Sequence, residues 1–265
     1  MTRGPDRPDR GERRRVALRS TLLQALWNYE TLQGPGFGWS LLPGLRRLYP
    51  DRERRAERLS AHMEVFNSNP YLSTLGLGVA LRMETEVARG AAGADRRLAR
   101  LLKALRGTLG ALGDELFWAG WRPALGIVAA LGAIGGFGAW AAVAFVGVFN
   151  ALAQSVRAWG VDAGFAAGAG VARVLQSDLW SRGTRAARLV GAIGAGAALG
   201  AGLVWASDLG GGVRGLGVFS LAIVLLWLAG LRVGSRGRPV SPSLAFLSVL
   251  ILLSALLRVL EGATG

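Results

Sequence analysis

Five side chains have the types needed to hold a polar ligand beside apolar chain: Asn67, Asn69, Glu84, Asp114 and Trp118. Carboxamides and carboxylates are planar and bond two neighbouring hydroxyl groups at once, and an indole offers a flat face to C–H surface. All five lie next to apolar segments and not in long polar loops. In lipid such groups are costly unless they line a cavity or pair with one another. Pro70 and Gly113 predict breaks in the backbone beside them, and a broken helix presents free backbone donors and acceptors. Each residue also has a plainer role open to it. Asn67 and Asn69 suit a turn or cap ahead of Pro70. Glu84 suits pairing with Arg82 and Glu86 a surface charge, while Asp114 suits capping the helix through Phe117. Trp118 and Trp121 suit interfacial anchors, and Arg122 a snorkelling flank or a partner for Asp114.

The missing chemistry narrows the field. The 265 residues contain no Cys and one His, His62. A disulfide, a thiolate metal site or a histidine relay built by this chain alone is therefore not expected, and no cofactor is. His62, near Glu64 and Phe66, reads as a structural or partner-contact residue.

Charge says where the chain resides. Half of it is hydrophobic and 18% is charged, against about a quarter in soluble domains. Residues 1–60 hold 13 Arg and 7 acidic residues, whereas 123–156 hold no charge. The net charge of +14 sits between apolar spans, which matches the positive-inside bias of membrane loops better than a nucleic-acid surface. No apolar signal core opens the chain.

The elements that must position the candidates follow from periodicity. Residues 1–15, rich in Pro, Gly and Arg, read as a disordered basic cytoplasmic tail. Val16–Gln33 reads as an amphipathic helix ended by Gly34-Pro35-Gly36. Leu41–Tyr49 and Asp51–Phe66 are helical candidates. Tyr71–Leu81 is apolar but shorter than the roughly 20 residues a span needs, so it suits a re-entrant, interfacial or internally packed helix. Asp95–Leu109 is basic and amphipathic, suited to an anionic membrane surface. Composition changes near residue 122. Pro123–Val156 is long enough for one tilted span plus a re-entrant piece, and Ala163–Ala172 is a weak, Gly-rich candidate. Leu189–Ser207, Gly215–Leu231 and Pro239–Leu257 read as spans, with Gly191, Gly194, Gly196, Gly200 and Gly202 allowing close helix approach. Basic loops at Arg182–Arg188 and Arg232–Arg238 flank a neutral one at Asp208–Arg214. The N-terminal half is then cytoplasmic and the C-terminus outside. The expected fold is an all-α integral membrane protein: amphipathic and re-entrant helices over 16–122, several transmembrane helices over 123–260, one domain across 16–260.

Four motif clusters occur in order. The first holds Trp27-Asn28-Tyr29-Glu30, Gln33, Gly36-Phe37 and Arg46-Arg47-Leu48-Tyr49-Pro50. The second holds His62, Glu64 and Phe66-Asn67-Ser68-Asn69-Pro70. The third is Gly78–Leu81 with Met83-Glu84. The fourth holds Leu109, Gly113-Asp114, Phe117-Trp118 and Arg122-Pro123. In order and spacing these resemble the enzyme IID component of the mannose/fructose/sorbose-type phosphotransferase system (PTS), over about residues 19–123 and more weakly to Asn150. The family's paired Glu-Glu is Glu84-Thr85 here, its Pro before Gly113-Asp114 is absent, and Glu115 adds a charge.

The resemblance implies a non-catalytic, multi-pass subunit of a bacterial inner-membrane permease. It implies an enzyme IIC-like membrane partner, soluble IIA and phosphorylated IIB, a hexose substrate and a multimer of IIC–IID pairs among membrane lipid. Asn67, Asn69, Glu84, Asp114 and Trp118 would then contact sugar. His62, Arg122, Trp27, Asn28 and Glu30 would serve structure or the partner. The departures leave open a membrane scaffold or regulatory sensor that no longer transports.

Overall fold

The computed structural model describes residues 7–206. Among them every regular element is helical. Contacts divide the chain into two compact units, Met1–Ala195 and Gly196–Gly265. The second is described only to Ala206, so the expected spans Gly215–Leu231 and Pro239–Leu257 lie outside the described residues.

Order begins earlier than the basic composition suggests. Helix α1 covers Arg10–Arg19 because Asp9 and Glu12 form a capping box: the Asp9 carboxylate accepts from Glu12 N–H and the Glu12 carboxylate from Asp9 N–H, each at 2.8 Å. Two orphan donors of the first turn are thereby satisfied. The predicted single helix Val16–Gln33 is not found. The chain leaves α1 through a 3₁₀ turn at Ser20–Leu22, and Asn28 then accepts from the N–H groups of Glu30 and Thr31. That turn offers the backbone bonds that compete with helix. Gly34-Pro35-Gly36 likewise starts a helix instead of ending one: α2 is Gly34–Leu48 with Pro35 in its first turn, where a missing N–H costs nothing. Asp51 caps α3, Arg52–His62.

Helix α4, Ser73–Ala88, is the centre of the core. Residues 72–81 are all buried, so the short apolar run is an internally packed helix. It lies against α7, Ala139–Ala167. A β-carbon on Gly78 would strike the carbonyl of Val161, one on Gly160 the Thr74 side chain, and one on Gly164 the carbonyl of Leu75. Only hydrogen at the three positions permits so close an approach.

Helix α5, Ala94–Gly113, continues without interruption through a π-helical stretch, Asp114–Trp121, into α6, Arg122–Gly132, and a π-helical end, Ala133–Phe137. The compositional change near residue 122 thus falls inside one helical rod and marks no joint. Gly136 and Gly138, both at positive φ, fold the chain back into α7, and Gly132 meets Ala141 across the hairpin. Ala94–Phe137 and Ala139–Gly170 are long and apolar enough to cross a membrane. The hairpin tip exposes Ile134, Phe137 and Trp140, each by at least 69%. Such a surface is expected to meet lipid or a partner and not water. A 3₁₀ turn at Gly168–Gly170 and α8, Ala172–Leu175, lead to α9, Asp178–Ala206. Gly191 and Gly194 of α9 pack on Ala124 and Ile127 of α6.

Candidate functional site

The segment Phe66–Pro70 is held by Gln33, which stands immediately before α2. The Gln33 side chain donates to the carbonyl of Ser68 at 2.8 Å and accepts from Ser68 N–H at 3.1 Å, while Gln33 N–H donates to the carbonyl of Phe66. This two-pronged grip substitutes for a strand partner in a buried place. It leaves Asn67 exposed and turns Asn69 inward, with 1% of its surface accessible. Asn69 then opens α4. Its Oδ1 accepts from the N–H groups of Tyr71 and Leu72, and its carbonyl accepts from Ser73.

The remaining donor of Asn69, Nδ2, reaches Asp114 Oδ1 at 3.1 Å. Asp114 is exposed and begins the π-helical stretch after α5. A π-turn in an α-helix commonly accompanies a functional site because it re-aims side chains. The predicted break at Gly113 is therefore a widening: the helix runs on. The glycine is needed for another reason, since a β-carbon there would press into the Asn69 side chain, with Oδ1 at 2.8 Å. Trp118, one turn on and partly exposed, faces Tyr71 with ring centroids 5.8 Å apart. Phe117 and Phe149 complete the aromatic wall. Arg122 lies over the Trp118 ring at 5.2 Å, a cation–π contact. Glu115 is paired with Arg188 at 2.8 Å, which offsets the charge that it adds beside Asp114.

Glu84 belongs to a second cluster. It is fully buried on α4. Tyr49 Oη donates to its Oε2 at 2.5 Å, Arg58 Nη2 to its Oε1 at 2.6 Å, and His62 Nε2 lies 2.6 Å from Oε1. Arg58 also pairs with Asp95 at 2.7 Å. Burial pushes the Glu84 carboxyl up, but the hydrogen bond and charge of His62, and then those of Arg58, outweigh it and bring the group from 4.5 down to about 2. Burial, reinforced by the charge of Glu84, raises the Tyr49 phenol and keeps it a donor. The cluster ties α2, α3, α4 and α5 together and neutralises a carboxylate that would otherwise be untenable inside the fold.

Thus Asn69, Asp114, Trp118 and Arg122 come together, Asn67 lies two residues away on the same segment, and Glu84 sits with His62. Trp27, Asn28 and Glu30 form a separate turn. Trp27 packs edge-on against Tyr29 with centroids at 4.8 Å, Asn28 supplies the turn's acceptor, and Glu30 is exposed. Sequence reasoning passed over Tyr71 and Arg157. Arg157 is buried on α7, lies over the Tyr71 ring at 5.3 Å and donates to the carbonyl of Ser20. Its signal was available, for it is the first charge after the uncharged run 123–156. No cluster of His, Cys, Asp and Glu suited to a metal ion occurs among the described residues.

The chain is similar to a set of known proteins. The chain is 33% identical over 179 residues to the mannose-specific EIID component of Escherichia coli K12, covering 67% of this chain and 63% of that protein. It is 32% identical over 176 residues to a sorbose-specific EIID component of Klebsiella pneumoniae, and 29% identical over 174 residues to a fructose permease IID component of Bacillus subtilis. These alignments cover 66% of this chain and 63% of each relative; the chain thus matches under two thirds of these relatives' length. Among solved structures, a cryo-electron-microscopy complex of the mannose transporter ManYZ with microcin E492 aligns over 94% of this chain and 96% of the other at 26% identity and a TM-score of 0.59. A second, described as a membrane protein, aligns over 93% and 97% at 26% identity and a TM-score of 0.70. The family model for the PTS mannose/fructose/sorbose IID component matches residues 9–204, and the chain belongs to that family of membrane-borne sugar phosphotransferase components.

Proposed function

We propose that this chain is the IID subunit of a bacterial inner-membrane permease. With a IIC-type partner it binds a hexose and moves it inward for phosphorylation by soluble IIA and IIB. The observation that carries the reading is the Asn69–Asp114 hydrogen bond beside the Tyr71–Trp118 aromatic wall, at a π-helical widening that leads into an apolar hairpin. Asp114 keeps acceptor capacity beyond the one bond to Asn69, Asn67 presents a free-facing carboxamide on the same segment, and the two rings give a sugar's C–H face a surface. Polar groups preassembled at a distorted helix match how transporters bind substrate at membrane depth. In this reading Glu84 anchors the fold beneath the site and does not touch sugar, because Tyr49, Arg58 and His62 occupy it. Residues 122–149 form a re-entrant hairpin: the outgoing arm, Arg122–Phe137, is about 24 Å long, short of the roughly 30 Å hydrocarbon core. The phosphoryl group passes from IIB to the sugar without residing on this chain.

The test is uptake of labelled hexose into vesicles holding both membrane subunits and the soluble components. Asp114→Asn and Asn67→Ala should each lower uptake, by about tenfold for the lost charge-assisted bonds, while the membrane complex still assembles. Wild-type uptake in both variants removes the site assignment. An assembled wild-type complex that takes up no hexose favours a scaffold or sensor.

A further inference from the structure

A cleft of about 330 Å³ opens between α3 and α5, away from the Asn69–Asp114 site. Its floor is apolar, built from Phe66, Leu98 and Leu102. Its rim carries Arg96, Lys103 and Arg106, all from α5. Arg106 donates to the carbonyl of Val65. Neither Arg96 nor Lys103 has a carboxylate partner among the described residues. The acids at the mouth do not cancel this charge: Asp95 is engaged by Arg58 at 2.7 Å, which leaves Glu64 against three cations. His62 also lines the cleft. It is 4% exposed, its Nε2 is taken by Glu84, and its Nδ1 has no hydrogen-bond partner. A buried ring nitrogen left open beside a cavity is expected to meet a polar group of whatever fills it.

We propose that this cleft is a binding site for an anionic phospholipid. Its phosphate would lie against Arg96, Lys103 and Arg106, its glycerol end would approach His62, and an acyl chain would cover Phe66, Leu98 and Leu102. A free phosphate would use the rim but gain nothing from the apolar floor, whereas an amphiphilic anion satisfies both. The cations stand on the same uninterrupted helix, Ala94–Phe137, that is apolar enough to enter a membrane. Basic pockets on the cytoplasmic side of membrane helices take phosphate head groups in this manner. The site is independent of sugar binding and stands or falls without it.

Native mass spectrometry of the full chain, released from dodecyl maltoside micelles doped with lipid, tests the proposal. Dioleoylphosphatidylglycerol should be retained at least about tenfold better than dioleoylphosphatidylcholine. Joint Arg96→Gln and Lys103→Gln substitution removes two exposed cations and should weaken retention about thirtyfold. Ala99→Trp, from an exposed position on the cleft lining, should fill the cavity and displace the lipid with every cation in place. Should either variant fail to give a wild-type unfolding transition, the other decides. Inorganic phosphate at millimolar concentration should leave the bound lipid in place. Equal retention of the two lipids, retention untouched in a folded variant, or displacement by inorganic phosphate would overturn the proposal.

Discussion

Glu84→Gln removes one charge from the most enclosed polar cluster and nearly preserves shape. The wild-type carboxylate receives Tyr49, Arg58 and His62 with no exposed surface. Its drop from 4.5 to about 2, at 1.36 kcal/mol per pH unit, means that folding favours the ionised carboxylate by about 3 kcal/mol. Breaking a buried pair from one side costs about 3–5 kcal/mol in general, which agrees. The folded value lies below the unfolded one, so the stabilisation is complete above about pH 4.5 and drains as pH falls towards 2. Glutamine has nothing to titrate. The variant should therefore be about 3 kcal/mol less stable than wild type at pH 7, with about half of that gap gone at pH 3. Denaturant unfolding in nonionic micelles, followed by tryptophan fluorescence at both pH values, reads the difference. Comparing the two proteins at each pH cancels the titrating groups that do not interact with Glu84. A gap under about 1 kcal/mol at pH 7, or one that does not change with pH, would show that the fold does not rely on an ionised Glu84.

Four further substitutions address separate links in the structure. Gly113→Ala should drive the Asn69 side chain off Asp114 at a cost of about 1–3 kcal/mol and lower hexose uptake while the complex stays assembled; unchanged uptake would argue against the Asn69–Asp114 pair. Gln33→Ala should strand the buried N–H and carbonyl of Ser68, at about 1–3 kcal/mol for each group, and expose residues 64–70 to protease before global unfolding. Gly164→Val should cost more than about 3 kcal/mol because the carbonyl of Leu75 occupies the added volume, whereas Gly107→Ala, with open space around it, should be neutral or stabilising by up to about 1 kcal/mol in the same unfolding assay.

The helical class, the apolar hairpin region and the motif-bearing residues could be read directly from the chain. Local signals failed where one residue type serves opposite ends of a helix. Pro35 stops a helix that precedes it and starts one that follows, and composition does not distinguish the two; the grip of Gln33 on Ser68, from the other side of the turn, decides. Arg10–Arg15 looked unstructured because charge masks the capping box of Asp9 and Glu12. Glu84 reads from sequence as a partner of Arg82 or of sugar because its actual partners are distant along the chain: Tyr49 is 35 positions away and Arg58 is 26. Arg82, the neighbour that suggested itself, makes no ion pair with it among the described residues. The glycines of the late spans suggest close helix packing from sequence, yet the close approach of α4 to α7 uses Gly78, Gly160 and Gly164, which periodicity alone does not pair.

The π-helical stretch also acts as a phase shifter. A π-turn holds one residue more than an α-turn, and one residue is worth about 100° of rotation. Side chains after Asp114 therefore point in directions that an unbroken α-helix starting at Ala94 would not give them. The basic rim on α5 and the surface of α6 that receives Gly191 and Gly194 are set at an angle fixed by that extra residue. Deleting a single residue between Asp114 and Trp121 would preserve composition, hydropathy and helix, yet swing the whole hairpin by about a quarter turn. Alignments that place a one-residue gap there should mark relatives whose hairpins meet their partners on a different face.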